Sequence, residues 1–505
     1  MPDTSVISPL VVRLGGGLVL DKDTFSQPPG SATGLQNFEP DINGGYRRIN
    51  GTEKFNSNIV PQTASSGETI LGVHIYNDSV IAARGTSVYK GSSTGSWTSI
   101  DSGRTSAGRY NFENFNFDGT DKVIYVDGAN NASVYNNTSV TDINATGAPA
   151  DPSFVTIFRS HVFFAGMSSN PQEIVFTAPF DETDFSAASG AGSIKVDDTV
   201  TGLKVFRENL FIFCEDSIYK LGGSSIADFA VVPVTRKIGC IDGNSIQEIA
   251  GDIVYLAPDG LRTIAATDRI GDVELGTISK QIQPRLENIS KDKISSLVIR
   301  GKSQYRLFFP TDAGSVAAAS GIMGVIKAGE QGGVGWEYAD LVGIKPSACA
   351  SGFISGTETV LHGGYDGYIY KQETGDDFDG TDIVAFYKGP HYTMGDAGIR
   401  KMMQRIIWNY ENEGSVNATV KLSYDFGSGE TPQPQPYSLA IGNSAALFGT
   451  ALFGTATFGS TGIPLVRQSV EGSGFTVGVQ IDDASGSPPI SLKGYQLEFT
   501  PGGRR

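Results

Sequence analysis

Leu203-Lys204-Val205-Phe206-Arg207-Glu208-Asn209-Leu210-Phe211-Ile212-Phe213-Cys214-Glu215-Asp216-Ser217-Ile218-Tyr219 reads as an apolar strand, a polar turn, a second apolar strand, a second turn and a short third strand near Tyr219. Apolar runs this short, bounded by polar turns, are strands that pack on both faces. The unit recurs. Leu71–Tyr76, Val80–Ala83 and Ser87–Tyr89 form one copy, and Val123–Gly128 with Ser133–Tyr135 another. Val162–Ala165 with Glu173–Phe176, Ile253–Leu256 with Gly260–Thr263, and Thr359–His362 with Gly367–Tyr370 repeat it. Aligning the final strands on Tyr89, Tyr135, Val175, Tyr219 and Arg262 gives spacings of 46, 40, 44 and 43 residues. A period of that size built from short strands is the signature of β-propeller blades. Residues 295–340 supply a more irregular copy around Tyr305–Phe309 and Trp336–Tyr338. The expectation is an all-β chain with a propeller of six or seven blades over residues 66–373. The competing reading is a series of unrelated hairpins from a sandwich.

On either side the texture differs. Residues 1–65 are broken by Gly15-Gly16-Gly17, Pro28-Pro29-Gly30 and Gly44-Gly45 and read as an N-terminal extended arm with one or two lead-in strands. After an acidic joint, residues 374–505 carry alternating segments at Ile383–Tyr387, Arg405–Tyr410, Ala418–Tyr424, Gly474–Ile481 and Leu492–Phe499. These read as a C-terminal β-sandwich. An insertion at 445–462 interrupts it, with Phe448-Gly449, Phe453-Gly454 and Phe458-Gly459 recurring every five residues. That period suits neither helix nor strand, and three such rings need a cover: a subunit or partner interface, or the sandwich's own flank. The helical pattern is confined to residues 278–292, with Ile282, Leu286 and Ile289 on one side.

Composition agrees with many short strands. Glycine numbers 64, aromatics make up 10% and charged residues 18%, against roughly a quarter in ordinary domains. A net charge of −16 argues against an adhesive nucleic-acid or anionic-membrane surface, and leaves room for DNA sliding past an acidic wall. Cys214, Cys240 and Cys349 have no disulfide or metal-knuckle spacing and suggest a reducing compartment. The sequence shows neither a signal-peptide pattern after Met1 nor an apolar run long enough for a membrane span.

Chemistry is sparse. The Ser-x-Asp-x-Gly-x-Thr-Trp turn of sialidase-type propellers is missing, since Thr94-Gly95-Ser96-Trp97 lacks the Asp. No spacing singles out a carboxylate pair for glycoside hydrolysis. His74, His161, His362 and His391 lack ligand spacing, and His74 and His362 read as interior strand residues. Asp376-Asp377-Phe378-Asp379-Gly380-Thr381-Asp382 has carboxylates for a hard cation but no twelfth-position Glu, and reads as an acidic turn. The expectation is a non-enzyme with no cofactor and no metal. Tyr46, Arg47 and Arg48 are candidates for an interface with an acidic neighbour, or else a turn leading into an exposed strand. The basic tip Arg504-Arg505 is either a subunit contact or a solvated tail.

Three stretches together resemble the structural tail proteins of short-tailed bacteriophages, and among them the tail nozzle proteins. They are Pro28–Ala32 with Leu35–Pro40 and Gly44–Gly51; Gly364–Tyr370 running into Asp376-Asp377; and the Phe-Gly insertion followed by Lys493–Arg505. The resemblance implies a virion protein made in the host cytoplasm and assembled as a homo-hexameric ring below the portal and adaptor (connector) rings. Such a ring conducts DNA during ejection without sequence-specific binding and docks tail fibres or spikes and a needle or plug. An alternative reading is a glycan-binding or glycan-cleaving propeller, such as a receptor-binding tail component.

Overall fold

The structure is a computed structural model and describes residues 8–23, 25–62, 69–105, 108–265, 277–287, 289, 294–310, 319–328, 334–414, 416–441 and 465–504. Four successive antiparallel four-stranded blades occupy residues 70–102, 111–142, 154–195 and 200–235, and three strands of a fifth blade are found among the described residues, over 247–263. The sixth blade combines Ala348–Ile354, Thr357–Gly363 and Ile369–Gln372 with Thr52–Lys54 from the start of the chain. Between the fifth and sixth blades, the strands of residues 295–342 take a seventh radial place, but their sheet runs on into the C-terminal half. The alternatives of six or seven blades thus resolve into six self-contained blades plus one shared sheet. Tyr89, Tyr135, Val175, Tyr219 and Arg262 all fall on third strands of their blades, as the spacing implies.

Why the strands read as unbroken apolar runs is visible in the packing. In the second blade Val123 and Tyr125 pack toward the first blade, while Ile124 and Val126 pack toward the third. In the fourth, Leu210, Ile212 and Cys214 face the third blade and Phe211 and Phe213 face the fifth. Alternation still operates, but both faces meet apolar neighbours. Each such side chain is worth roughly 2 kcal/mol of burial.

The N-terminal region is not an arm. Ser8–Arg13 pairs antiparallel with residues 494–499, and Gly34–Gln36 lies between Asp340 and the strand Ile383–Lys388. Phe38–Pro40 and Tyr46–Arg48 form a hairpin joined to the last strand, Ile490–Arg504. These segments are too short to declare a partner locally, and apart from the hairpin's own pairing their partners lie hundreds of residues away. The boundary at residue 373 is corrected as well. A nine-stranded sheet joins residues 295–342 of the ring to Ile383–Lys388, Val477–Ser485, Val416–Tyr424 and Tyr437–Ile441. A seven-stranded sheet around Ile399–Asn412 and Ile490–Arg504 faces it. Ile406, Trp408, Leu492 and Leu497 of one sheet and Val420, Tyr424, Tyr387 and Ile481 of the other form a single core with the ring's shared sheet. The expected sandwich is therefore present, but it is fused to the propeller.

The helical pattern at 278–292 yields a 3-10 turn at Lys280–Ile282 and one α-turn at Gln283–Leu286. Ile282 and Leu286 are buried as the pattern requires. Among the described residues, no helix is long and apolar enough to cross a membrane.

Where ring, hairpin and sandwich meet, charge replaces oil. Arg306, fully buried, contacts Glu373, and its Nη1 donates to Gln372 at 2.8 Å. Lys302 reaches Glu39 at 2.7 Å and also pairs with Glu373. Gln304 donates to Glu39 at 2.9 Å. Burial pushes the Glu373 carboxyl up, but Arg306 and Lys302 outweigh it and hold the group down at about 2. The stabilisation from Glu373 is therefore complete above its unfolded value of 4.5 and fades as pH falls from there toward 2.

Two outcomes follow from this packing. At pH 7, Glu373→Gln should lower stability by on the order of 2–3 kcal/mol. In thermal unfolding followed by circular dichroism, the gap between variant and parent should close as pH drops from about 5 to about 2. A pH-independent gap would mean that the carboxylate's charge is not what stabilises the joint. Gly51 passes the acidic joint so closely that a Cβ there would lie 1.8 Å from the Asp377 carbonyl oxygen. Gly51→Ala should thus open the sixth blade, costing at least about 1–3 kcal/mol and raising hydrogen exchange at Thr52–Lys54. Parental protection there would refute the close approach.

Candidate functional site

The innermost strands of the six blades and of the shared sheet surround a cavity of about 700 Å³. Its wall is mostly polar, with Asn111, Glu113, Lys204, Gln247, Glu248 and Ser296 among the lining residues. At one end Arg109 crosses the channel. It donates to the Ser347 carbonyl at 2.8 Å and to that of Ile294, so it ties the second blade to the shared sheet and the sixth blade. Nearer the other end, the Nε2–H of His74 donates to Asn114 Oδ1 at 2.9 Å, and its ring stacks on Phe112 at 5.3 Å. Burial holds His74 down at about 4, so it is neutral at physiological pH. Glu113 makes no hydrogen bond to a described residue. Protein crowding around it raises its carboxyl above the usual range, against the pull of Lys204. The channel can solvate or bind a small polar molecule. With Arg109 bonded across it, the channel is not an open passage for a duplex.

A groove of about 710 Å³ runs between the sixth blade and the shared sheet, past His362, Tyr365, Tyr370 and Phe378. His362 stacks on Tyr370 at 5.2 Å, and burial holds it at about 3. His362 is therefore an interior residue of a blade strand, whereas His74, also on a blade strand, is only partly buried and lines the channel. The acidic joint beside this groove serves the fold: Asp377 accepts the Gly380 N–H at 2.8 Å, and Asp379 pairs with Lys54 at 2.9 Å. Among the described residues, no group of His, Cys, Asp and Glu is arranged to hold a metal ion. All three cysteines are free thiols, each pushed up to about 12 by burial.

The residues singled out as an interface separate into groups. Tyr46 is fully buried, with its ring 5.5 Å from that of Tyr387 across the sandwich. Arg48 is fully buried too. It pairs with Asp483 at 3.2 Å and donates to the carbonyls of Ser485 and Asp376. Neither is available to a neighbouring subunit. This is a correction, and its cause is the long-range pairing that turns the supposed arm into an interior hairpin. Arg47 points the opposite way, as adjacent strand residues must, and binds Glu413 at 2.7 Å and Glu39 at 3.4 Å. Arg504 closes the last strand opposite Ile399. Phe448, Phe453, Phe458 and Arg505 lie outside the described residues. The strands flanking the Phe-Gly insertion are described, however. Tyr437–Ile441 ends the nine-stranded sheet, and Leu465–Ser469 ends the seven-stranded one. Sequence reasoning also missed an aromatic surface cluster in which Phe426 lies 4.4 Å from His391 and 5.6 Å from the exposed Phe25. No local pattern joins those three positions.

No protein-family profile matches the chain, and no curated protein matches it. Solved structures match it only distantly. The extracellular domain of a putative hybrid two-component system from B. thetaiotaomicron is 8% identical, with a TM-score of 0.37 over 62% of this chain and 39% of that one. An ancestral GH74 enzyme is 9% identical, with a TM-score of 0.40 over 70% of this chain and 53% of that one. The AfRom2 CNH domain is 8% identical, with a TM-score of 0.37 over 64% of this chain and 98% of that one. This chain thus spans about two-fifths and about half the length of the first two. It is an all-β chain built on a β-propeller.

Proposed function

We propose that this chain is a structural subunit that assembles with copies of itself into the tail-nozzle ring of a short-tailed bacteriophage, as the sequence resemblance implies. One observation carries the reading. The Phe-Gly insertion is strung between Tyr437–Ile441 and Leu465–Ser469, the edge strands of both sandwich sheets. Sheet edges are where another chain can add, and this is where the sequence places three rings that need cover. The narrow propeller channel is consistent with DNA passing through a lumen between subunits rather than through the ring of blades. The subunit's part in ejection is passive: it forms a wall and offers docking surfaces.

Replacing Phe448, Phe453 and Phe458 together with Ser removes roughly 2 kcal/mol of burial per ring. The assembled fraction in light scattering and electron microscopy should fall by more than tenfold at fixed concentration, with the circular dichroism melt retained. Rings that form normally would confine the repeat to its own chain. A parent protein that stays monomeric and is absent from phage particles would overturn the proposal.

A second reading, glycan binding in the propeller channel, is favoured by one feature, the unbonded Glu113 beside Lys204 in a polar cavity. A glycan array and a reducing-sugar release assay test it. Binding or turnover lost in Glu113→Gln would support it, and silence in both assays would remove it.

A further inference from the structure

Four strands of the seven-stranded sheet, Ser8–Arg13, Ile490–Arg504, Ile399–Asn412 and Leu465–Ser469, lie side by side in that order. One face of this ribbon is core: Val12, Leu497 and Trp408 are buried. Among the described residues, no layer covers the other face. The register sets Val11, Gln496, Ile407 and Arg467 in one row across it, with Arg13 and Leu465 at the two ends of the next row. Val11 is 63% exposed and Leu465 46%. Arg13 and Arg467 are exposed and make no ion pair or hydrogen bond to a described residue, whereas Arg405 pairs with Glu498 at 3.5 Å. The free guanidinium groups sit on opposite edges of the ribbon, roughly 15 Å apart at about 4.8 Å per strand.

We propose that this outer sheet face is the surface on which a second copy of the chain docks, through an acidic part of that copy. The inference rests on the reading that the chain assembles with itself, and it names the surface. Subunits carrying −16 each repel one another at long range. A face that combines unpaired arginines with exposed Val11 and Leu465 is one where that repulsion reverses and apolar area is covered on contact. Face-to-face pairing of two such ribbons would set arginine against arginine. The contact is therefore heterologous, ribbon against a different surface of the next copy, which is the geometry that generates rings. In the chain, Leu465 follows the Phe-Gly insertion by three residues. A nucleic acid is the weaker occupant, because Val11, Ile407 and Leu465 interleave with the arginines and the face also carries Glu498.

The experiment uses the full chain, followed by sedimentation velocity across salt concentrations, with the Arg13→Glu/Arg467→Glu double variant beside the parent and Val11→Ser/Leu465→Ser as a second probe. All four positions point outward, so thermal melts should match the parent. The parent should assemble and dissociate as salt rises. The charge reversal should raise the concentration for half-assembly at least tenfold, and the apolar variant should do so with less dependence on salt. Parent-like assembly in both variants would overturn the surface while leaving self-assembly intact. A parent that never assembles would overturn the reading beneath it. Salt-sensitive retention of a 30-base-pair duplex, lost in the charge reversal with assembly unchanged, would assign the face to nucleic acid and also overturn the proposal.

Discussion

Everything in this structure hangs on three residues, Thr52–Lys54, pairing with Gln372–Tyr370. Blades stacked radially cover one another's faces only if the last meets the first, and a three-stranded final blade would leave an open edge. The strand that completes it comes from the beginning of the chain, so closing the ring also fixes where the N-terminal region starts its return. Residues 46–48 sit just upstream and are thereby committed to the sandwich. The N–H groups of Gly51 and Thr52, bonded to the carbonyls of Gly375 and Asp377, draw the acidic joint in as well. Ring closure and sandwich assembly are one event in geometric terms.

Charges mark the places where that joining happens. Arg48 with Asp483, and Arg306 with Glu373, are buried pairs; at Glu373 the two cations outweigh desolvation, whereas at Arg48 and Asp483 burial outweighs the pairing and the buried Arg48 Nε has no partner among the described residues. A greasy joint tolerates sliding, whereas a guanidinium bound to several acceptors on different strands holds in one registration. Arg104 does the same between the first two blades, pairing with Asp127 at 2.8 Å and lying over Tyr125 at 5.1 Å.

The propeller was legible because its physics is local. Each blade needs apolar runs of four to six residues and tight turns, and packing on both faces makes those runs conspicuous, as at Leu210–Phe213 and Val162–Ala165. The interior character of His362 was legible for the same reason, whereas His74 proved to face the channel. The interface candidates fared differently. The pattern around Tyr46-Arg47-Arg48 is that of an exposed turn and strand, and nothing within ten residues announces that Asp483 and Tyr387 will cover it.

Sequence alone determined the class of the molecule: all-β, periodic, with a sandwich after the ring and an aromatic insertion within it. Those features follow from side-chain period, turn chemistry and composition, which act over a handful of residues. Only the tertiary structure decided that the ring is closed by the chain's own beginning, that propeller and sandwich share a sheet, and that Leu10 lies opposite Leu497. A β-strand's partner is set by which backbone edges and apolar faces remain unpaired after everything else has packed, and that quantity exists only in the folded chain.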